Sequence, residues 1–295
     1  MHTIALIGPG AIGGTLASLL LENPDNQVTL CVRTPIDCLS ITHQSETKSF
    51  SPTIATSPDA LAPVDWIILA TKTYQVPQAA AWLPALTGPE TQLAVVQNGV
   101  EHLDNLQPSF PPERTLPVII DCPAERPAPG KFIRHGDVFM SAPNVPAAEA
   151  FSQLFNHPAV TIDITCDWTT AAWKKLCINA AGAISALVDQ PANVAAKPEA
   201  AAIMRSLIAE CVAVGRAEGA ELDEASIAEQ VIASAAAAPP GAMNSLHADL
   251  AAKRPMEWQA RNGVIARLGQ KHGIPTPCNQ MAAQLLSLLE QTYTA

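Results

Sequence analysis

A short apolar run, Thr3 to Ile7, passes directly into Gly8-Pro9-Gly10-Ala11-Ile12-Gly13 and then into a helix-permitting stretch through Leu21. A glycine-rich turn between a strand and a helix permits a tight reversal, then close backbone approach to a pyrophosphate, then close packing of the helix on the strand. The helix it opens presents free amides and a partial positive charge to an anion. A glycine turn without a ligand is the alternative. Because the flanking strand and helix are in the right order, Gly8, Pro9, Gly10, Ala11, Ile12 and Gly13 are the candidate phosphate-binding residues.

The pattern that follows extends this reading. Aliphatic runs recur at Val28 to Val32, Trp66 to Ala70, Leu93 to Gln97 and Pro117 to Ile120, separated by segments long enough for crossover helices. Continuous rather than alternating apolar runs mark strands of a parallel sheet buried on both faces. The proline-rich stretch from Pro108 to Pro129 reads as mainly loop, and Phe132 to Ser141 and Val160 to Ile164 as late edge strands. Beyond Thr165 the texture becomes helical, with candidate helices at Asp167 to Leu187, Pro198 to Gly219, Asp223 to Ala238, Ala242 to Lys253, Met256 to Lys271 and Asn279 to Thr292. A chain of 295 residues exceeds the roughly 250 at which single cores stop growing. The expected class is α/β: a Rossmann-type dinucleotide-binding domain over residues 1–165, followed by an all-α C-terminal domain over 166–295.

Composition narrows the function. Hydrophobic residues at 48% and charged residues at 15% exclude general disorder. A net charge of -10 argues against a nucleic-acid partner, which needs a concentrated basic face. No apolar run approaches the ~20 residues of a spanning helix, so no membrane partner is expected. The first twenty residues resemble a signal peptide in apolarity but lack a basic leading segment and are interrupted by glycines. Seven scattered cysteines, with no C-x-x-C pair or Cys/His cluster, fit reduced thiols in a cytoplasmic protein without a metal site.

About 20 residues past the glycines, where NAD-binding domains carry an acid for the ribose hydroxyls, stands Arg33. A guanidinium there suits the 2'-phosphate of NADP, through charge-assisted hydrogen bonds of about 1.5 to 3 kcal/mol each; a solvated strand-end cation is the alternative. Lys72, Gln75 and Asn98 follow later strands, where parallel sheets meet ligands, yet all three residue types also serve as caps and turns. On a helix from Asp167, Lys175, Asn179, Gly182, Ala183 and Ala186 share one stripe, opposite an apolar face of Trp173, Leu176, Cys177, Ala180, Ile184 and Leu187. Lys175 and Asn179 then turn away from the core, able to line a cleft or simply to be solvated. Glu257 and Arg261 have the spacing of an ordinary helix ion pair. Asn244 and Ser245 read equally as helix caps or ligand contacts.

Together these residues resemble the ketopantoate reductase (2-dehydropantoate 2-reductase) family. The resemblance rests on the glycine turn, Arg33, Lys72, the Asn98-Gly99 turn, Trp173-Lys174-Lys175-Leu176-Cys177-Ile178-Asn179, Ser245, Arg254-Pro255-Met256-Glu257, Asn262-Gly263 and His272-Gly273-Ile274-Pro275. It implies an NADPH-dependent reductase of a 2-oxo acid, ketopantoate foremost, with Lys175 as catalytic lysine and Glu257 at the family's acidic site. Asn98, Lys175, Asn179, Ser245 and Glu257 would meet the substrate, Arg33 and Lys72 the adenosine phosphate, and a homodimer is compatible. Two departures touch the substrate: Ala183-Ile184 replaces the family's Asn-Pro, and Leu246-His247-Ala248-Asp249 replaces Met-Leu-Gln-Asp. A reductase of a different ketone and a non-catalytic NADPH sensor are the alternatives.

Overall fold

The aliphatic runs become the centre of an eight-stranded sheet in the computed structural model, which describes residues 1–294. Among those residues the strands are β1 (His2–Ile7), β2 (Asn26–Cys31), β3 (Leu39–His43), β4 (Glu46–Phe50), β5 (Thr53–Ala55) and β6 (Trp66–Leu69). They continue with β7 (Gln92–Val96), β8 (Thr115–Asp121), β9 (Ala124–Ala128), β10 (Lys131–Arg134), β11 (Val138–Pro143) and β12 (Val160–Thr165). The large sheet has the order β12-β11-β8-β7-β6-β1-β2-β5. Strand β1 is central, flanked by β2 on one side and β6 on the other, both parallel to it. The chain therefore reverses direction across the sheet beside β1, the place where open α/β sheets bind ligands.

Both faces of this sheet are covered. Ile4 and Leu6 of β1 join one apolar cluster with Leu30, Ile68 and Val96, whereas Ala5 and Ile7 join another with Ile67, Leu69 and Val95. Successive side chains of a strand point to opposite faces, so burial on both requires the unbroken apolar runs seen in the sequence. Helix α1 (Ala11–Leu21) covers the first face. The short helices α2 (Val76–Ala79) and α3 (Leu83–Leu86) supply Val76, Ala79, Leu83 and Leu86 to the second, and α4 (Pro146–Ser152) adds Phe151 to the first.

The edge strand expected over Phe132 to Ser141 is split: β10 belongs to a second sheet, β4-β3-β10-β9, and only β11 lies in the large one. Strand β9 lies inside the segment read as loop, and its Ala-Glu-Arg-Pro-Ala sequence carries no strand signal of its own. It exists because β10 pairs with it on one edge while β3 takes the other. Phe132 of β10 anchors this sheet over α1: a Cβ at Gly14 would collide with its ring. At the far edge of the large sheet, β11 is antiparallel to β8 and β12 is parallel to β11.

The chain divides into two compact units, Met1–Trp168 and the residues from Thr169 onward. The second contains α5 (Trp168–Ala181) for nearly all its length, α6 (Ala183–Leu187), α7 (Pro198–Ala217), α8 (Glu224–Ala236), α9 (Ser245–Ala251), α10 (Val264–His272) and α11 (Pro277–Thr294). Carboxylates cap the starts of two of its helices. Asp223 accepts from Ser226 N at the start of α8, and the Glu210 carboxylate of α7 accepts from Cys278 N and Asn279 N, each at 2.8 Å, at the start of α11. Two expectations fail here. The helix over Asp167 to Leu187 is broken at Gly182, and Met256 to Lys271 is not one helix: residues 254–258 are non-helical, and a π-helical turn, Gln259–Gly263, precedes α10.

Candidate active site

In the first unit, every cofactor-site candidate lies at or just beyond the carboxyl end of a parallel strand. Ile7, Cys31 and Leu69 are in register, and Leu69 pairs with Val95. Gly8 follows β1, Arg33 follows β2, Lys72 follows β6 and Asn98 follows β7, so the four reach one edge of the sheet from adjacent strands. Arg33 is exposed there. Lys72 caps a short 3₁₀ turn whose Gln75 Oε1 accepts the Lys72 amide at 3.2 Å, so Gln75 serves as a cap. The Asn98 turn is fastened from both sides. Gln97 Nε2 donates to Thr71 O at 2.9 Å, and His102 Nε2 donates to Gln97 O at 2.9 Å. The His102 ring packs edge-on against Trp168, and burial pushes its pKa below the usual range.

The glycines fit a dinucleotide for separable reasons. Gly8 has φ +88, and a Cβ there would run into Thr71. A Cβ at Gly13 would strike Gly8 O, so this glycine lets α1 pack against the turn. At Gly10 a Cβ would meet nothing within 4 Å, so no packing within the protein demands glycine there. Gly10 is also the N-cap of α1, with no side chain capping the helix and no acid in its first turn. An uncapped N-terminus over open space is the arrangement that receives a pyrophosphate. Gly10→Ala is therefore expected to keep the wild-type melting temperature and to weaken dinucleotide binding by about 10-fold, through loss of close backbone approach. Gly8→Ala is expected to lower the melting temperature itself. Thermal unfolding with and without nucleotide separates the two.

In the second unit, α5 places Lys175 half-buried and its neighbour Lys174 exposed, while Trp173, Leu176, Cys177 and Ala180 enter the core. Asn179 departs from the sequence reading, being buried rather than turned away from the core. Ala183 and Ile184 are apolar core: Ala183 packs with Leu246, Met256 and Leu286. No polar contact to a ligand can come from those two side chains. Asn244, not Ser245, is the N-cap of α9, accepting from His247 N at 3.0 Å. Its Nδ2 donates to Gly182 O at 2.8 Å and so ties the start of α9 to the end of α5.

Glu257 is 3% exposed and sits in the non-helical segment rather than on a helix. Its two neighbours are pinned by Glu290 of α11, which accepts from Met256 N at 3.0 Å and from Trp258 Nε1 at 2.6 Å. Arg261, read from sequence as half of an ordinary helix ion pair with Glu257, is 2% exposed. Burial pushes its guanidinium below the usual range, while the Glu257 and Asp249 carboxylates act to hold it up. Arg261 Nη2 donates to Ser245 Oγ at 2.7 Å, and Asp249 accepts from Arg254 Nε at 3.0 Å. The structure thus groups Ser245 and Glu257 around a buried arginine: the Glu257–Arg261 attraction stands, but across a π-helical turn in the interior rather than along a regular helix. The structural cause is the π-helical turn, where Gly263 N reaches Trp258 O at 2.9 Å. Such turns occur often at functional sites. Asn262 is structural, donating to Ala180 O and to Asn279 Oδ1.

Two family models match the chain: "Ketopantoate reductase PanE/ApbA" over residues 4–146 and "Ketopantoate reductase PanE/ApbA C terminal" over 167–290. A 2-dehydropantoate 2-reductase of Caulobacter vibrioides is 50% identical over 287 residues, covering 97% of this chain and 99% of the relative. Among solved structures, a dimeric ketopantoate reductase from Staphylococcus aureus superposes with a TM-score of 0.88 at 22% identity, covering 99% of both chains. D-mandelate dehydrogenase with NADH and anilino(oxo)acetate superposes with a TM-score of 0.91 at 20% identity, again covering 99% of both chains.

Proposed function

The chain belongs to the ketopantoate reductase family, oxidoreductases acting on CH–OH groups, and we propose that it reduces a 2-oxo acid, 2-dehydropantoate foremost, to the 2-hydroxy acid with NADPH. The observation that carries this reading is the pairing of a glycine turn suited to a dinucleotide with a helical unit holding Lys175, Asn179, Ser245 and Glu257. When bound, NADPH supplies a hydride to the carbonyl carbon. Lys175 then meets the negative charge growing on the carbonyl oxygen and gives it a proton, so the ketone becomes an alcohol and the lysine a neutral amine that water reprotonates. Ser245 and Asn179 hold the substrate, and Glu257 accepts a hydrogen bond from a substrate hydroxyl. Arg33 and Lys72 hold the adenosine phosphate, and Asn98 positions the nicotinamide end.

The sensor reading loses its footing in an enzyme family. The different-ketone reading retains one observation, the apolar Ala183 and Ile184 at positions where a polar contact was expected. An absent hydrogen bond costs about 1 to 3 kcal/mol and shifts which 2-oxo acid is preferred without altering hydride chemistry. A panel of 2-oxo acids followed by NADPH absorbance tests the reading. Turnover with 2-dehydropantoate above the other acids is expected, and a stronger response to an aryl 2-oxo acid would move the assignment toward the D-mandelate dehydrogenase likeness.

The proposal includes a homodimer and, with all seven thiols free, a cytoplasmic setting. Among the described residues no helix is long and apolar enough to cross a membrane. Helices α6, α7 and α11 line an apolar groove of about 750 Å³. On and around it Met281 and Leu288 are 61% and 59% exposed. Contiguous exposed apolar surface of this kind marks interaction faces, and the dimeric Staphylococcus aureus relative makes a second copy the fitting occupant. Leu288→Glu is expected to convert a dimer to a monomer by light scattering, with the melting temperature of the monomer measurable alongside; an unchanged mass would remove this face from the interface.

A further inference from the structure

We propose that Arg261 is a positioning residue for the substrate, biasing the Ser245 hydroxyl toward hydrogen-bond donation to the oxo acid. This rests on the reading of Ser245 as a substrate contact and goes beyond it by explaining what directs that contact. A guanidinium has only donors. At 2.7 Å, Arg261 Nη2 occupies a lone pair of Ser245 Oγ, so the serine proton cannot point back at the arginine. Ser245 is exposed whereas Arg261 is 2% exposed. The hydroxyl is thereby the exposed end of a contact to a buried cation, its proton left for a partner other than the arginine.

The bond is charge-assisted, and donation from a cation polarises the acceptor hydroxyl and strengthens its own donation. The carboxylate of a 2-oxo acid offers only acceptors, which suits such a donor better than a freely rotating hydroxyl would. Asp249 and Glu257 stabilise the arginine in its charged form, and Asp249 is in turn engaged by Arg254. Arg261 Nε is buried without a hydrogen-bond partner. The π-helical turn at Gln259–Gly263 carries Arg261 into this position.

The test is a double-mutant cycle in the full chain, with KM for 2-dehydropantoate, kcat, NADPH affinity and melting temperature measured for Ser245→Ala, Arg261→Gln and the double variant. Arg261→Gln is expected to raise KM about 10-fold, the loss of one directed polar contact, with kcat and NADPH affinity within about 3-fold of wild type. In the Ser245→Ala background the same change should raise KM by clearly less, the remainder being what the lost charge does through Glu257. Arg261→Lys, which keeps the buried charge, serves the same cycle if the glutamine variant does not fold: a rise of about 3-fold with Ser245 present and none without it. Equal effects in both backgrounds, or a matching fall in NADPH affinity, would overturn the role. A wild type that oxidises NADPH with no 2-oxo acid would overturn the functional reading and this inference with it. An active wild type with additive effects would overturn the arginine's role alone.

Discussion

Lys175→Ala is expected to bind NADPH with wild-type affinity and to lose a factor of about 10² to 10⁴ in kcat. The size follows from the reaction: hydride addition puts a full negative charge on the carbonyl oxygen, and without a positioned ammonium that charge must be met by water. The affinity should hold because the candidate phosphate contacts, Gly8 to Gly13 and Arg33, belong to other elements. The fold should hold because α5 is anchored by Trp173, Leu176, Cys177 and Ala180, while Lys175 is only half-buried. The adjacent Lys174, exposed on the same helix, is the internal control, and its alanine variant should turn over normally. Stopped-flow single turnover together with nucleotide titration separates chemistry from binding. A Lys175→Ala enzyme with near-normal turnover would remove the lysine from proton transfer.

Arg33→Asp is expected to reverse cofactor preference, lowering kcat/KM with NADPH by at least about 10-fold while sparing or improving that with NADH. Each charge-assisted hydrogen bond to a phosphate is worth about 1.5 to 3 kcal/mol, and the aspartate adds repulsion to the lost attraction while offering the ribose hydroxyls an acceptor. The residue is exposed just beyond β2, at the edge where Gly8 also emerges, so the exchange should leave the melting temperature unchanged. Equal efficiencies with the two cofactors in the unmodified protein would show that Arg33 is only a solvated cation.

How far the sequence carried depended on whether the signal was local. The parallel strands β1, β2, β6 and β7 were legible because burial on both faces demands unbroken aliphatic runs, and the glycine turn because its geometry is confined to a few residues. Helix α5 showed its core face for the same reason. Of the second sheet only β10 has a strand signal, merged with β11 in one expected edge strand; β3, β4 and β9 are not legible, since Glu46–Phe50 is mostly exposed and β9 contains proline and charges. Those strands are made by their partners and by Phe132 seated on Gly14.

At the site the same division holds. Lys175 and Glu257 enter the candidate site through family motifs, whereas the burial of Arg261 escapes the sequence because a spacing of four residues means an ordinary helix ion pair only on a regular helix. Glu290 holds Met256 and Trp258 out of a helix from 34 and 32 residues away, and the π-helical turn then buries the arginine. Neither event has a signature within the segment itself.

Deuteride transfer tests the central claim most directly: the chain incubated with 2-dehydropantoate and NADPH deuterated at the transferable C4 position, with the product read by mass spectrometry. The account predicts a 2-hydroxy acid carrying one deuterium at C2, formed at a rate that Lys175→Ala suppresses. A product without deuterium, or no product while the nucleotide binds normally, would contradict it.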